Sequence, residues 1–497
     1  MILVGLFFHF ALAQAAPPAP LFRLHLPNEP TNLDPHQQKN SASSYLLFNL
    51  HRNVFVFDDE RGLVPDLGES CERGRDRRQL TCTLKKNLRW SDGRPLTAED
   101  FVSSYRKILD PRTGSPRADL LFAVKNAEDI YRGRKKIPEL GVRALDERRL
   151  RFEFRDRAPD FEYNLTLSAL APSRGVPEDP RQIVVSGPYR LLSWDKGRRL
   201  RLTANPHYPN GSPSRPDVEF VFVEDDGTAL RLYEKGDLDF LRRLPTIYIS
   251  RYKKSPEFHW IGVTRLDYLG FAPKWDAHPE LRRALSLSLD FEELRKIFSA
   301  EGAPPGCPGL PENWASVPWP CLRFDPAAAR AAAQAAKPGP LRMNYSTQGG
   351  EDHRRAAEWQ QEQWRKNAGL TVRVKGLENK IFLAELKKSP PDVFRKGLAP
   401  DRPTCYAALE KFTDPDSGNF LEFKDSRFRD LLNSLADAEK EADKKDLCLQ
   451  GLKLLIEGNR LIPLGRMHFA VLAKENFFGW RLNQMNQLDL SALRTRK

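Results

Sequence analysis

Carboxylates, histidines and cysteines are the side chains from which this chain could build a reactive centre. Glu224-Asp225-Asp226 follows an alternating apolar run and could supply paired carboxylates for acid–base work. The same triplet also suits a strand end leading into a helix N-cap, and that reading is preferred. Asp414-Pro415-Asp416-Ser417-Gly418 matches a fragment of a calcium loop. It lacks the loop's length and terminal Glu, so it is read as a turn. The nine histidines do not cluster at metal-ligand spacing. Nucleophile-elbow, zinc-protease, P-loop and dinucleotide-binding signatures are absent. These residues point away from catalysis, and no cofactor or metal is expected.

The six cysteines are Cys71, Cys82, Cys307, Cys321, Cys405 and Cys448. None belongs to a C-x-x-C motif, which argues against a zinc site or a redox dithiol. Cys71 and Cys82 flank a polar turn, Cys307 and Cys321 flank a proline-rich loop, and Cys405 and Cys448 remain. Three disulfides in that pairing suit an oxidising compartment. The first residues agree with such a compartment. Ile2 to Ala13 is an apolar run too short to span a bilayer. Small-x-small sites end at Ala13 and Ala15, so residues 1–15 are read as a signal peptide. No Lys or Arg precedes Arg23, and no Cys near the cleavage site offers a lipid anchor. The mature protein is expected to be free in an extracytoplasmic space.

The elements that must position these residues alternate. Residues 150–155, 189–194, 198–203 and 218–224 read as strands, as do 371–375 and 469–473. Thr97 with Asp100 forms an acidic capping box for a helix that stops at Asp110-Pro111. Further helices are expected over Asp226 to Tyr233, Pro279 to Leu294, Ala327 to Ala336, Asp352 to Asn367 and Ser426 to Glu457. The fold class is therefore α/β. The 497 residues exceed what one core organises, so two or three domains are expected. With no Ser/Gly-rich linker, the chain should cross between them several times. Lys and Arg exceed Asp and Glu by a net +13. The cations are scattered rather than striped with aromatics, which argues against nucleic acid.

Several blocks along the chain are similar to those of bacterial extracellular solute-binding proteins of the oligopeptide type. They begin at Glu29-Pro30-Thr31-Asn32-Leu33-Asp34-Pro35 and continue through residues 80–101, LTCTLKKNLRWSDGRPLTAEDF. Ser186-Gly187-Pro188-Tyr189, Asn205-Pro206-His207-Tyr208, Glu234 to Asp239, His278 to Leu285 and Ile462-Pro463-Leu464 follow in family order. The resemblance implies a periplasmic-binding-protein-like fold with two lobes, a hinge and an extra domain. Lobe one is expected from residues 16–50, 173–263 and 468–497, the extra domain from 51–172, and lobe two from 264–467. It also implies a peptide held as an extended strand between the lobes. The partners are that peptide and an inner-membrane ABC permease, the location is the periplasm, and a monomer is expected.

The resemblance assigns site residues as well. Asp401 takes the place of the carboxylate that holds the peptide amine, with Leu398 where the family has Trp. Arg395 and His353 match positions that meet the peptide carboxylate. Asn379 stands where relatives have another Trp, and Arg117 where they often have Tyr. Lys39, Asn40 and Ser41 match the segment that pairs with ligand backbone. The lost aromatics leave room for another ligand on the same fold: a cell-wall peptide, a nickel chelate, haem, or a sensed molecule.

Overall fold

A computed structural model describes residues 20–38, 41–211, 215–298, 306–307, 321–413, 420–421 and 425–496. A sheet of ten strands runs through it, and its two longest members, Phe258–Phe271 and Leu461–Ala473, lie antiparallel in the middle. To one side lie Val393–Leu398, Leu341–Ser346 and Val372–Leu377. To the other lie Phe240–Leu241, Leu21–Leu26, Asp217–Phe222, Arg199–Ala204 and Tyr189–Asp195. The chain thus forms two lobes that share one strand pair. That ladder slips between Gly262 and Leu266. Inside the gap, Thr264 turns to Gln484 instead, with N–H to O at 2.8 Å and Oγ1 to Oε1 at 2.7 Å. An irregularity of this kind bends a strand and interrupts its pairing, which is what a hinge requires.

Each lobe contains parallel strands, whose C-terminal ends share one edge. Leu341–Ser346 is parallel to both Val372–Leu377 and Val393–Leu398. Leu21–Leu26 is parallel to Asp217–Phe222 and Phe240–Leu241. The loops leaving these edges carry Ser346 to His353, Glu378-Asn379 and Leu398 to Asp401 in lobe two. In lobe one they carry Glu224 to Asp226 and Arg242-Arg243. Such edges are where open α/β sheets take ligands. The two edges meet: Thr246 Oγ1 donates to Asp352 Oδ1 at 2.5 Å across the gap.

A separate four-stranded sheet, Gly68–Arg73, Gln79–Leu84, Arg149–Glu153 and Val142–Ala144, carries the helix Ala98–Leu109. Phe101, Tyr105 and Ile108 of that helix are fully buried in a core shared with Leu80, Leu150 and Phe152. Asp100 closes the helix start by accepting from Thr97 N–H at 2.8 Å. Phe22, Phe220 and Leu488 anchor the lobe-one core. Lobe two has two cores, one around Trp364 and one around Tyr268.

Two expected helices are each broken in two. Pro279–Leu287 stops, and Phe291–Phe298 restarts after Asp290, which accepts from Glu292 N–H at 3.1 Å. Ser426–Asp437 stops at Ala438, which is extended, and Glu441–Ile456 follows. Asp437 and Glu439 at that corner pair with Arg157 and Arg77 of the four-stranded domain.

All three disulfides form as paired above. Cys71 and Cys82 sit directly opposite on neighbouring strands. Cys405–Cys448 joins Cys405–Glu410 to Glu441–Ile456 inside the lobe-two core. It closes a loop of 43 residues, against 11 for Cys71–Cys82. Restriction of the unfolded chain grows with loop length. Cys405→Ala/Cys448→Ala should therefore lose more stability, about 3–4 kcal/mol, than Cys71→Ala/Cys82→Ala, about 2–3 kcal/mol. Urea unfolding of the two variants beside the parent checks the order, and a reversed order refutes it.

Candidate functional site

Among the described residues, three ion pairs run from the four-stranded domain to lobe two. Arg117 binds Asp401, Arg157 Nη1 lies 2.7 Å from Asp437 Oδ1, and Arg77 Nη2 lies 3.0 Å from Glu439 Oε1. With Thr246 and Asp352 on the other flank, polar contacts bound the cleft on both sides.

Asp401 stands just beyond the strand Val393–Leu398 and is already paired. One carboxylate oxygen accepts from Arg117, and Lys411 Nζ lies 3.0 Å from the other. Burial alone would push this carboxyl up. The Arg117 guanidinium and the Lys411 ammonium outweigh it and hold the group down at about 2. Asp119 lies 3.7 Å from Arg117, and Arg402 binds Glu410 beside them. The cluster thus holds three cations and three carboxylates. Asp401, the residue expected to hold a peptide amine, is thus paired within the protein by an arginine and a lysine. Arg117 reaches Asp401 from the four-stranded domain, whereas Lys411 belongs to lobe two.

The second cluster is built on facing strands. Leu269 pairs with Arg395, and Asp267 pairs with Gly397 two residues on, so Asp267 and Arg395 share a face. Arg265 clamps the buried Asp267, with Nε and Nη2 at 3.2 and 3.1 Å from Oδ1. A Cβ at Gly397 would stand 2.0 Å from Arg265 Nη2 and 2.3 Å from Asp267 Oδ1, so a side chain there would displace this clamp. Arg395 makes no hydrogen bond or ion pair among the described residues, and its Nε is buried without a partner. Burial, then the Arg395 guanidinium, push His353 down to about 3, so its ring is neutral. Nδ1 of His353 lies 3.0 Å from the Ser346 carbonyl, which can only accept. Nδ1 therefore carries the proton and Nε2 is an acceptor, a poor match for a carboxylate in this state. Arg395 is the donor available to one.

The other expected residues are dispersed. Asn379 begins the helix Asn379–Lys388 and accepts from Ser346 Oγ at 3.1 Å, on the same edge as His353. Leu398 points into the lobe-two core with Leu266 and Phe394 and is only 8% exposed, so it packs rather than lining a wall. Lys39 and Asn40 lie outside the described residues, and Ser41 begins the helix Ser41–Leu50. Asp414 to Gly418 also lie outside them. Asp225 caps the helix Asp226–Lys235 through Thr228 N–H at 2.7 Å, as its structural reading had it. Arg265, Asp267, Arg242 and Lys411 went unrecognised. Only Arg265-Leu266-Asp267 had a local signal, an alternation that sets both charges on one strand face. A cavity of about 710 Å³ also lies between the four-stranded domain and lobe two, lined by Arg73, Arg157, Tyr163, Tyr406 and Glu441. Its arginines are paired internally, Arg73 with Glu162 and Arg157 with Asp437.

With that geometry in hand, comparison with known proteins is direct. Residues 62–420 match the family model described as bacterial extracellular solute-binding proteins, family 5. The periplasmic oligopeptide-binding protein OppA of Salmonella typhimurium is 26% identical over 88% of this chain and 85% of its own length. The periplasmic murein peptide-binding protein MppA of Escherichia coli is 25% identical over 95% and 92%. Among solved structures, the oligopeptide-binding protein OppAIV of Borrelia burgdorferi superposes with a TM-score of 0.81 at 23% identity, covering 96% of this chain and all of that one. Haemophilus influenzae OppA, in complex with the peptide RPPGFSPFR, superposes with a TM-score of 0.80 at 22% identity, over 97% and 100%.

The paired state of Asp401 has a measurable signature. Because its folded pKa is depressed, it stabilises the fold above the unfolded value near 4, and that contribution is lost as pH falls through about 2. Both Asp401 and Arg117 retain 22% side-chain exposure, which places the pair between surface and buried limits. Asp401→Asn should cost about 1–3 kcal/mol at neutral pH. The gap between variant and parent should close between about pH 4 and 2. Urea unfolding at stepped pH measures it; a gap unchanged at pH 2 refutes the pairing.

Proposed function

The chain belongs to the bacterial extracellular solute-binding proteins of family 5, and we propose that it captures extended peptides between its lobes and delivers them to an inner-membrane ABC permease. The observation that carries this reading is the meeting of two parallel-strand edges across one hinged strand pair. A peptide laid along such edges satisfies its amides on protein backbone, so affinity does not depend on reading each side chain. The named relatives support it: those aligned above are oligopeptide- and murein peptide-binding proteins, and one structure holds a nonapeptide.

In this reading lobe one comprises 16–50, 173–263 and 468–497, lobe two comprises 264–467, and 51–172 form an extra domain inserted in lobe one. The mature protein works in the periplasm as a monomer after removal of residues 1–15. Lys39, Asn40 and Ser41 meet the ligand backbone, Arg395 its carboxylate, and His353 and Asn379 flank it. Arg117 and Asp401 close the far end.

The test is to purify the protein natively from a bacterial periplasm and release whatever it holds. Mass spectrometry of the released material should show short peptides. Adding a bound peptide at a hundred times its Kd should raise stability by about 2.7 kcal/mol. Release of a non-peptide ligand alone, with no peptide raising stability, would falsify the reading.

A further inference from the structure

We infer that the cleft selects ligands with a free carboxylate but a blocked or missing amine, such as N-acylated peptides. This deepens the peptide-capture reading and rests on it. Charge is balanced differently at two places in the cleft. At Asp401 the protein supplies its own counter-ions. Arg117 and Lys411 hold both oxygens, and with Arg402, Asp119 and Glu410 the cluster is already neutral. A ligand ammonium arriving there would add an uncompensated charge or displace one of two cations held by the fold. Either event disfavours binding, because a cation in a closed site needs a carboxylate of its own.

At Arg395 the balance is the reverse. Arg265, Arg355 and Arg395 face two carboxylates, Asp267 and Asp352, and Lys396 adds a cation from the other side of its strand. Asp267 binds Arg265 through Oδ1 and keeps a buried Oδ2 with no hydrogen bond, within electrostatic reach of Arg395, while Asp352 binds Thr246 with Arg355 at 3.9 Å. The Arg395 guanidinium makes no hydrogen bond or ion pair among the described residues, and its Nε is buried without a partner. His353 is neutral and adds no charge. On the opposing lobe, Arg242 at the end of Phe240–Leu241 also has a buried Nε with no partner. An incoming carboxylate would be welcomed by donors already in place, bidentate at a guanidinium. A ligand that matches both places is anionic overall: carboxylate retained, amine capped.

The test is competition. The purified, ligand-stripped protein is mixed with a randomised library of tri- to pentapeptides in three equimolar forms: unmodified, N-acetylated and C-amidated. Native mass spectrometry reads what is retained. The expected result is enrichment of acetylated over unmodified forms by about tenfold, and depletion of amidated forms by at least about tenfold. Arg117→Ala/Lys411→Ala exposes Asp401 and should swing the preference to unmodified peptides. If that variant does not fold, the parent's ratio alone decides. Retention of unmodified forms as well as or better than acetylated ones overturns the inference and leaves peptide capture standing. Retention of none of the three forms removes peptide capture itself.

Discussion

Everything in this molecule depends on two long antiparallel strands that belong to both lobes. Phe258–Phe271 and Leu461–Ala473 carry the sheet from one lobe into the other, and no flexible tether replaces them. A shared strand pair fixes how the lobes face each other while permitting one mode of motion, a bend where the ladder slips at Gly262 to Leu266. Because the parallel strands of each lobe end on one edge, any bend there would act on a single crevice. The loops carrying Asp401, His353 and Asn379 owe their common location to strand direction rather than to sequence proximity.

Charge placement follows from that geometry. A closing cleft desolvates whatever lines it, so each ionised side chain must find a partner within the protein or in the ligand. At Asp401 the protein answers with Arg117 and Lys411, drawn from two different domains. At Asp267 it answers with Arg265 from two residues away on the same strand. Arg395 receives no such answer. The contrast locates the place where a ligand contributes to the electrostatics of closure and the place where it does not.

How much of this was legible in the sequence varies by physical cause. Local signals were readable: the Thr97–Asp100 cap, the alternation over 150–155, the Asp225 cap, and the three cysteine pairs. The long hinge strands were harder. Leu461–Ala473 showed its strand character only over residues 469–473, because Pro463 and Gly465 obscure the rest. The helix break at Ala438 could not be read, since no Gly or Pro marks it; the corner it makes meets Arg77 and Arg157 of a distant domain. Family resemblance supplied the positions of Asp401, Arg395 and His353 along the chain. It could not reveal that Arg117, a single departure from the family pattern, occupies Asp401. That fact exists only in three dimensions, as a pairing across 284 positions of sequence.

The ion pairs that cross from the four-stranded domain to lobe two are unequally sheltered. Arg77–Glu439 and Arg157–Asp437 are largely exposed, with glutamate and aspartate side chains at 72% and 60%. Such pairs contribute about 0–1 kcal/mol each and weaken further in salt. Arg117–Asp401 is better sheltered and contributes more, yet it too leaves both partners partly wet. A transport protein needs that modest total. Contacts strong enough to close the cleft irreversibly would trap the ligand, because release to a permease requires the lobes to part again. Contacts too weak would leave closure wholly to the ligand, and affinity would fall by the fraction of molecules standing open. Rigid disulfides within the walls and marginal ion pairs between them divide the work accordingly: Cys71–Cys82 and Cys405–Cys448 hold each wall's shape, while the contacts that cross the gap are ones water can reclaim.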